Sequence, residues 1–155
     1  VLASDLPAVF DADALNILAR APELMAMLGD RHVITPHPGE ARRLLGRELT
    51  DPISDARALH ALGASAILKG ASSVVCTDRA LLISAAGCAG MAKGGSGDAL
   101  TGIAGALIAQ GFAPGDAAYM ACELHGLAGE VAQEEFGEHS MLATDLVEMI
   151  AEVLF

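Results

Sequence analysis

Apolar positions along the chain follow two rhythms, and the change between them divides the sequence. Up to about residue 90, short apolar runs are cut by Gly, Pro or acidic side chains; after Asp98 a run of about a dozen residues, broken by Gly102 and Gly105, opens a stretch that reads almost wholly as helix. Short apolar runs bounded by turn residues predict buried strands. Ala8-Val9-Phe10 running into Asp11, His32 to Thr35, and Ala66 to Lys69 are the three clearest, and Ser73 to Thr77 with Leu81 to Ala85 predict a hairpin around Asp78-Arg79. Helices are predicted at about 14–20 and at 22–28, where Pro22 suits a first turn and Gly29 a stop. Pro38 with Glu40 opens another helix ending at Gly46, and Asp51 to Leu62 forms one more, terminated by Gly63. The remainder predicts helices over about 98–110, 115–135 and 144–154, separated by Pro114-Gly115-Asp116 and restarted by Thr144-Asp145 with Glu148.

The order β-α-β-α-β-β-β-α-α-α predicts one three-layer α/β/α domain over residues 1–155, with a mostly parallel sheet. Ligands of such sheets sit beyond the carboxyl ends of the strands. Four polar clusters follow strands here: Asp11-Ala12-Asp13, Pro36-His37-Pro38, Lys69-Gly70-Ala71-Ser72, and the loop from Gly94 to Asp98. The pattern therefore predicts one site on one sheet edge.

Composition narrows the partners. Among 155 residues, 53% are apolar, 3% aromatic and 19% charged, so small aliphatic side chains must fill the core. A formal charge of −11 argues against nucleic acid or an anionic membrane as partner. An anionic ligand would depend on backbone donors and single cations. Cys76, Cys88 and Cys122 form no C-x-x-C pair, which favours a reducing compartment such as the cytoplasm over a disulfide framework. The opening residues carry no secretory pattern, and the apolar run after Asp98 is shorter than the roughly 18 residues of a membrane span.

The strongest chemical signal is Lys93-Gly94-Gly95-Ser96-Gly97-Asp98 ahead of an apolar helix. Glycines let the backbone turn tightly and bring N–H groups up to a ligand, and a helix N-terminus adds its dipole, so Gly94, Gly95, Ser96 and Gly97 are the candidate anion hole. Asp98 is out of place as a phosphate ligand but suits a proton acceptor beside a transferring phosphoryl group. The bland reading is a helix start whose aspartate only complements the dipole. Three familiar motifs fail: Leu100 replaces the third glycine of a dinucleotide fingerprint, Lys93 precedes rather than follows the glycines of a Walker loop, and Asp98 replaces the closing glycine of a nucleophile elbow.

The other clusters divide more evenly. His37 lies between two prolines that restrict its backbone, which suits ligand orientation or simply a rigid turn. Lys69, Gly70, Ala71, Ser72 and Ser73 either close a strand or hold a nucleotide. Asp13 is read as a helix cap, with a place near metal-bound phosphates for Asp11 and Asp13 as second choice. His125 reads as a satisfied interior group, Gly126 and Gly129 as close-packing positions, and Met91, Met120, Met141 and Met149 as core fillers.

Taken together, Val9-Phe10-Asp11-Ala12-Asp13-Ala14-Leu15, Thr35-Pro36-His37-Pro38-Gly39-Glu40, Leu68-Lys69-Gly70-Ala71 and Gly90 through Asp98 resemble the ADP/ATP-dependent NAD(P)H-hydrate dehydratases of the ribokinase-like superfamily. Leu124-His125-Gly126-Leu127-Ala128-Gly129 and Ala143-Thr144-Asp145-Leu146 also fit. Thr-Pro-His-Pro-Gly-Glu discriminates best, because the Gly-Asp loop is shared with many small-molecule kinases. The resemblance implies repair of the hydrates NADHX and NADPHX, with ADP or ATP as co-substrate, Mg2+ as cofactor and AMP or ADP plus phosphate as products.

Carried over by residue, the resemblance implies substrate contacts from His37 and Asp98, with Asp98 as catalytic base. It implies nucleotide contacts from Lys69, Gly70, Ala71, Ser72, Ser73 and Gly97. Ser72-Ser73 stands where the family commonly has Gly-Thr. Family members are longer and commonly self-associate, so the chain is expected to be the C-terminal portion of the fold, with an incomplete sheet unless an N-terminal half covers it. Two other readings stay open: a ribokinase-like kinase that phosphorylates an alcohol, and a non-catalytic fragment that needs that half.

Overall fold

In the computed structural model, which describes residues 1–154, alternate strand residues feed two separate cores. The strands are β1 (Ala8–Phe10), β2 (His32–Ile34), β3 (Ser65–Leu68), β4 (Val74–Cys76) and β5 (Leu81–Ile83). Successive strand side chains point to opposite faces. Phe10, Ile34, Ala66, Leu68, Val74 and Cys76 share one core, whereas Val33, Ile67 and Val75 share another. Helices α1 (Asp13–Leu18), α2 (Pro22–Met25), α3 (Pro38–Leu45) and α4 (Pro52–His60) fill the first through Leu15, Leu18, Leu44 and Leu59. Helices α5 (Ser96–Ala109), α6 (Pro114–Phe136) and α7 (Ala143–Leu154) cover the other face, α5 and α6 through Leu100, Ala104, Ala118 and Ala121. The result is three layers.

The five strands stand side by side in chain order, β1 and β2 parallel, β2 and β3 parallel, and β4 antiparallel to both its neighbours. Four of the five therefore run the same way, and the predicted hairpin is β4–β5. Pairing continues past the strand ends: Thr35 N–H donates to the Phe10 carbonyl at 3.1 Å and Lys69 N–H to the Pro36 carbonyl at 2.9 Å. These bonds hold the segments after β1, β2 and β3 at one edge, where the site lies.

Several element ends differ from the sequence pattern. The helix predicted over 22–28 lasts only Pro22–Met25, since the chain turns away before Gly29. Helix α5 starts at Ser96, two residues early, because Gly95 takes φ 95° and lets the chain enter the helix sooner. Asp13 is not a cap. It is the first helical residue, and the cap position belongs to Ala12, at φ 49° and ψ −118° with no side-chain bond. Ala12 is the non-glycine residue with positive φ among the described residues, a conformation that costs on the order of 1–3 kcal/mol and concentrates at functional sites.

Among the described residues β1 has a strand neighbour on one side only. On the α5–α7 layer an apolar groove of about 590 Å3 runs past Ile103, Leu107, Met120, Leu124 and Ile150. No described helix is long and apolar enough to cross a membrane.

Candidate active site

The four polar clusters meet in one cleft of about 830 Å3, lined by Asp11, His37, Lys69, the Gly94–Asp98 loop and, from α6, Cys122 and His125. Gly70, Ala71 and Ser73 join the lining; Ser72 is exposed and is not part of it. His37 and Asp98 thus face the same space from β2 and from α5. Glu40 is there too, buried.

The Gly94–Asp98 loop is built to present backbone donors. Gly95 in the left-handed region turns the chain into α5 without a side-chain cap. Among the described residues no acceptor meets the N–H groups of Gly94, Gly95, Gly97 or Asp98. Ser96 differs from its neighbours, because its N–H reaches the Lys93 carbonyl at 3.4 Å. Its Oγ is buried and has no partner among the described residues. Free N–H groups at the positive end of a 14-residue helix make an anion site. Asp98 is exposed in the first turn of that helix, beside the anion position.

His37 caps α3. Its Nδ1 accepts from Gly39 N–H at 2.9 Å, and its own N–H donates to Glu40 Oε2 at 2.9 Å, a reciprocal capping box. Because Nδ1 accepts, the ring proton sits on Nε2, which faces Glu40 Oε1 at 3.3 Å. The rigidity expected from the two prolines is therefore completed by a carboxylate. About half of the His37 side chain remains open to the cleft.

Lys69 meets Asp11: Nζ donates to Oδ1 at 2.8 Å, while Thr101 Oγ1 donates to Oδ2 at 3.0 Å. Burial alone would raise the Asp11 carboxyl, but the bond and charge of Lys69, helped by Ala12 N–H and Thr101, hold it below the ordinary carboxylate range. Lys69, read either as a strand end or as a nucleotide contact, is fixed by a partner far away in sequence.

The contacts of two further residues escaped the sequence reading. Lys93 Nζ donates to the Met141 carbonyl at 2.6 Å and reaches the Glu138 and His139 carbonyls at 3.3 and 3.5 Å, strapping the glycine loop to the α6–α7 connection. His125 Nε2 donates to the Ser96 carbonyl at 2.7 Å, so the histidine read as a satisfied interior group is one, and its partner is the glycine loop. Its i,i+3 spacing from Cys122 on one helix face was the available signal. At Cys122 burial first, then Glu123, pushes the thiol up to about 11, which disfavours the nucleophilic thiolate.

Burial lowers the His125 imidazole, outweighing the Ser96 carbonyl, which raises it, and nearby Lys69 lowers it further. A histidine depressed in the folded state gives stability that is full above the ordinary imidazole range and lost as pH falls through it, because the unfolded chain takes up the proton first. His32, also depressed chiefly by burial, works in the same direction. The melting temperature should therefore drop between about pH 7 and about pH 5, and less steeply in His125→Gln, where only the His32 share remains. Parallel curves for the two proteins would show that His125 is not buried neutral.

The family model for the NAD(P)H-hydrate dehydratases matches residues 1–152. The bifunctional NAD(P)H-hydrate repair enzyme Nnr of Escherichia coli is 47% identical over 96% of this chain, which spans 29% of that protein. The ADP-dependent (S)-NAD(P)H-hydrate dehydratase of Neisseria meningitidis is 41% identical over 86% of the chain and 48% of its own length. In structure, the ADP/ATP-dependent NAD(P)H-hydrate dehydratase from Bacillus subtilis, co-crystallised with ATP/Mg2+ and soaked with CoA, superposes with a TM-score of 0.83 at 28% identity. That match covers 99% of this chain and 57% of the other.

Proposed function

The chain belongs to the NAD(P)H-hydrate dehydratase family, and on that premise we propose that its cleft carries out nucleotide-driven dehydration of NADHX and NADPHX. The observation that carries this reading is the convergence of unpaired loop N–H groups, the Asp98 carboxylate, the His37 ring and the Lys69 ammonium on one cleft. His37 and Asp98 contact the hydrate. Lys69, Gly70, Ala71, Ser73 and Gly97 hold ADP or ATP, with Ser72 at the rim.

Asp98 takes the proton of the hydrate's hydroxyl as that oxygen attacks the terminal phosphoryl group of the nucleotide. The Gly94, Gly95 and Gly97 N–H groups stabilise charge on the phosphoryl in transit. The hydroxyl oxygen then leaves as phosphate, its C–O bond breaks, the neighbouring carbon loses a proton, and the ring regains its double bond. AMP or ADP and phosphate are released.

The donors present suit a phosphate-borne Mg2+, which keeps most of its waters and needs few carboxylates. The described residues hold no group of three His, Cys, Asp or Glu side chains able to cage a metal alone. Glu40, the buried carboxylate of the cleft whose Oε1 meets only the half-open His37 ring, would hold it. Bound there, the ion would neutralise phosphate charge.

In this proposal residues 1–155 act as one ribokinase-like domain, and the part of the relatives' fold beyond the matched region supplies the remaining wall of the hydrate pocket. The three thiols, free in this structure, suit a reducing cytoplasm. The test supplies NADHX with ADP, to the chain alone and with the preceding region of a relative's fold added as a separate polypeptide. Inorganic phosphate and NADH should appear together in equal amounts. A phosphorylated hydrate or alcohol without NADH would make the protein a kinase, and no reaction in either mixture would leave it a non-catalytic module.

A further inference from the structure

We propose that Asp11 is a positioning residue whose carboxylate, clamped by Thr101, holds the Lys69 ammonium against the Gly97 turn so that it meets a nucleotide phosphate already oriented. This rests on the reading of the cleft as a nucleotide site. The three side chains come from three elements: Asp11 follows β1, Lys69 follows β3 and Thr101 lies on α5, 58 and 90 residues from Asp11. Both carboxylate oxygens are in use, so the group cannot rotate without losing Lys69 or Thr101.

A free lysine is a mobile point charge on a four-carbon stem, and ordering it on binding opposes affinity. Here the ordering is already done, with the Lys69 and Asp11 side chains only 21% and 10% exposed. An ammonium has three N–H donors. One goes to Asp11, and the rest can face a ligand. The pair also lies directly on the loop: a Cβ on Gly97 would stand 3.2 Å from Lys69 Nζ and 3.5 Å from Asp11 Oδ2. The fixed ammonium and the free Gly97 N–H are therefore neighbours, two donors side by side in a chain of net charge −11. The strained Ala12 backbone turns the chain sharply right after Asp11. Neither it nor the Thr101 bond is needed merely to pair two charges at a surface.

The chain has just two lysines, Lys69 and Lys93, which makes the clamp measurable. Trace acetylation of the full chain, read by peptide mass spectrometry, should modify Lys69 about tenfold faster in Asp11→Ala than in wild type, with Lys93 unchanged. Asp11→Asn should fall between. Thr101→Val keeps both charged partners and should speed the reaction about two- to threefold, which decides the matter if Asp11→Ala fails to fold. Equal Lys69 rates in wild type and variants would overturn the clamp.

The second arm is ADP affinity in a double-mutant cycle. Asp11→Asn should weaken ADP about tenfold when Lys69 is present and less than about twofold in Lys69→Met. Additive losses would mean that Asp11 does not act through Lys69, and would overturn the proposal. A wild-type chain that binds no ADP would sink the nucleotide reading instead, and the acetylation rates would then decide the clamp alone.

Discussion

On the proposed function, replacing Asp98 by Asn will lower the rate of NADH regeneration from its hydrate by about 1,000-fold or more, while ADP affinity stays within about threefold of wild type. Asparagine keeps the size of the side chain and its place in the first turn of α5 but cannot accept the hydroxyl proton. The backbone N–H groups that would hold phosphate belong to Gly94, Gly95 and Gly97 and are untouched. A 1,000-fold loss corresponds to about 4 kcal/mol of transition-state stabilisation, within what a general base supplies. The measurement is absorbance of regenerated NADH at saturating hydrate, beside calorimetric titration with ADP. Turnover within tenfold of wild type would strip Asp98 of its role, and a parallel collapse of ADP affinity would make it a nucleotide ligand.

A large effect on the fold is expected at Gly126. A Cβ there would lie 2.7 Å from the carbonyl carbon and the Cβ of Ala86 and 2.8 Å from its oxygen. Backbone cannot rotate aside, so the 86–92 segment must shift. That segment is stitched to α6 by bonds from Gly87 N–H to Glu130 at 2.8 Å and from Gly90 N–H to Gln133 at 2.9 Å. Overpacking of this kind costs about 1–3 kcal/mol, so Gly126→Ala should melt several degrees lower, and Gly126→Val lower still. Gly102 is the control: an added Cβ meets nothing within 4 Å, and Gly102→Ala should gain up to about 1 kcal/mol. If both substitutions shift the melting temperature alike, close approach at Gly126 is not what seats α6 against the 86–92 segment.

The sheet and its site edge were legible because strand ends here are written in Pro, Gly and Asp. Thr35-Pro36-His37-Pro38 and Lys69-Gly70 both stop a strand and place chemistry, so one signal serves both purposes. What escaped depends on sequence-distant pairs. Nothing near Lys69 says that it will meet Asp11, and nothing near Lys93 says that it will reach the carbonyls after α6. Asp13 misled for a physical reason: acidic residues favour both the cap and the first turn of a helix, and the strained backbone of Ala12 moved it from one to the other. His125 was read by its apolar surroundings, which are real, but its Nε2 reaches out of them to the loop.

The strap from Lys93 to the Met141 carbonyl spans 48 residues, and the bond from Thr101 to Asp11 spans 90. Contacts so remote along the chain close only when both ends are already ordered. As this polypeptide emerges and collapses, its glycine loop is therefore among the last parts to take shape, completed when the final helical hairpin docks. A half-folded molecule, with its strands aligned but α7 adrift, would lack the Lys93 strap on its glycine loop, and on the proposed function it would have no grip on nucleotide.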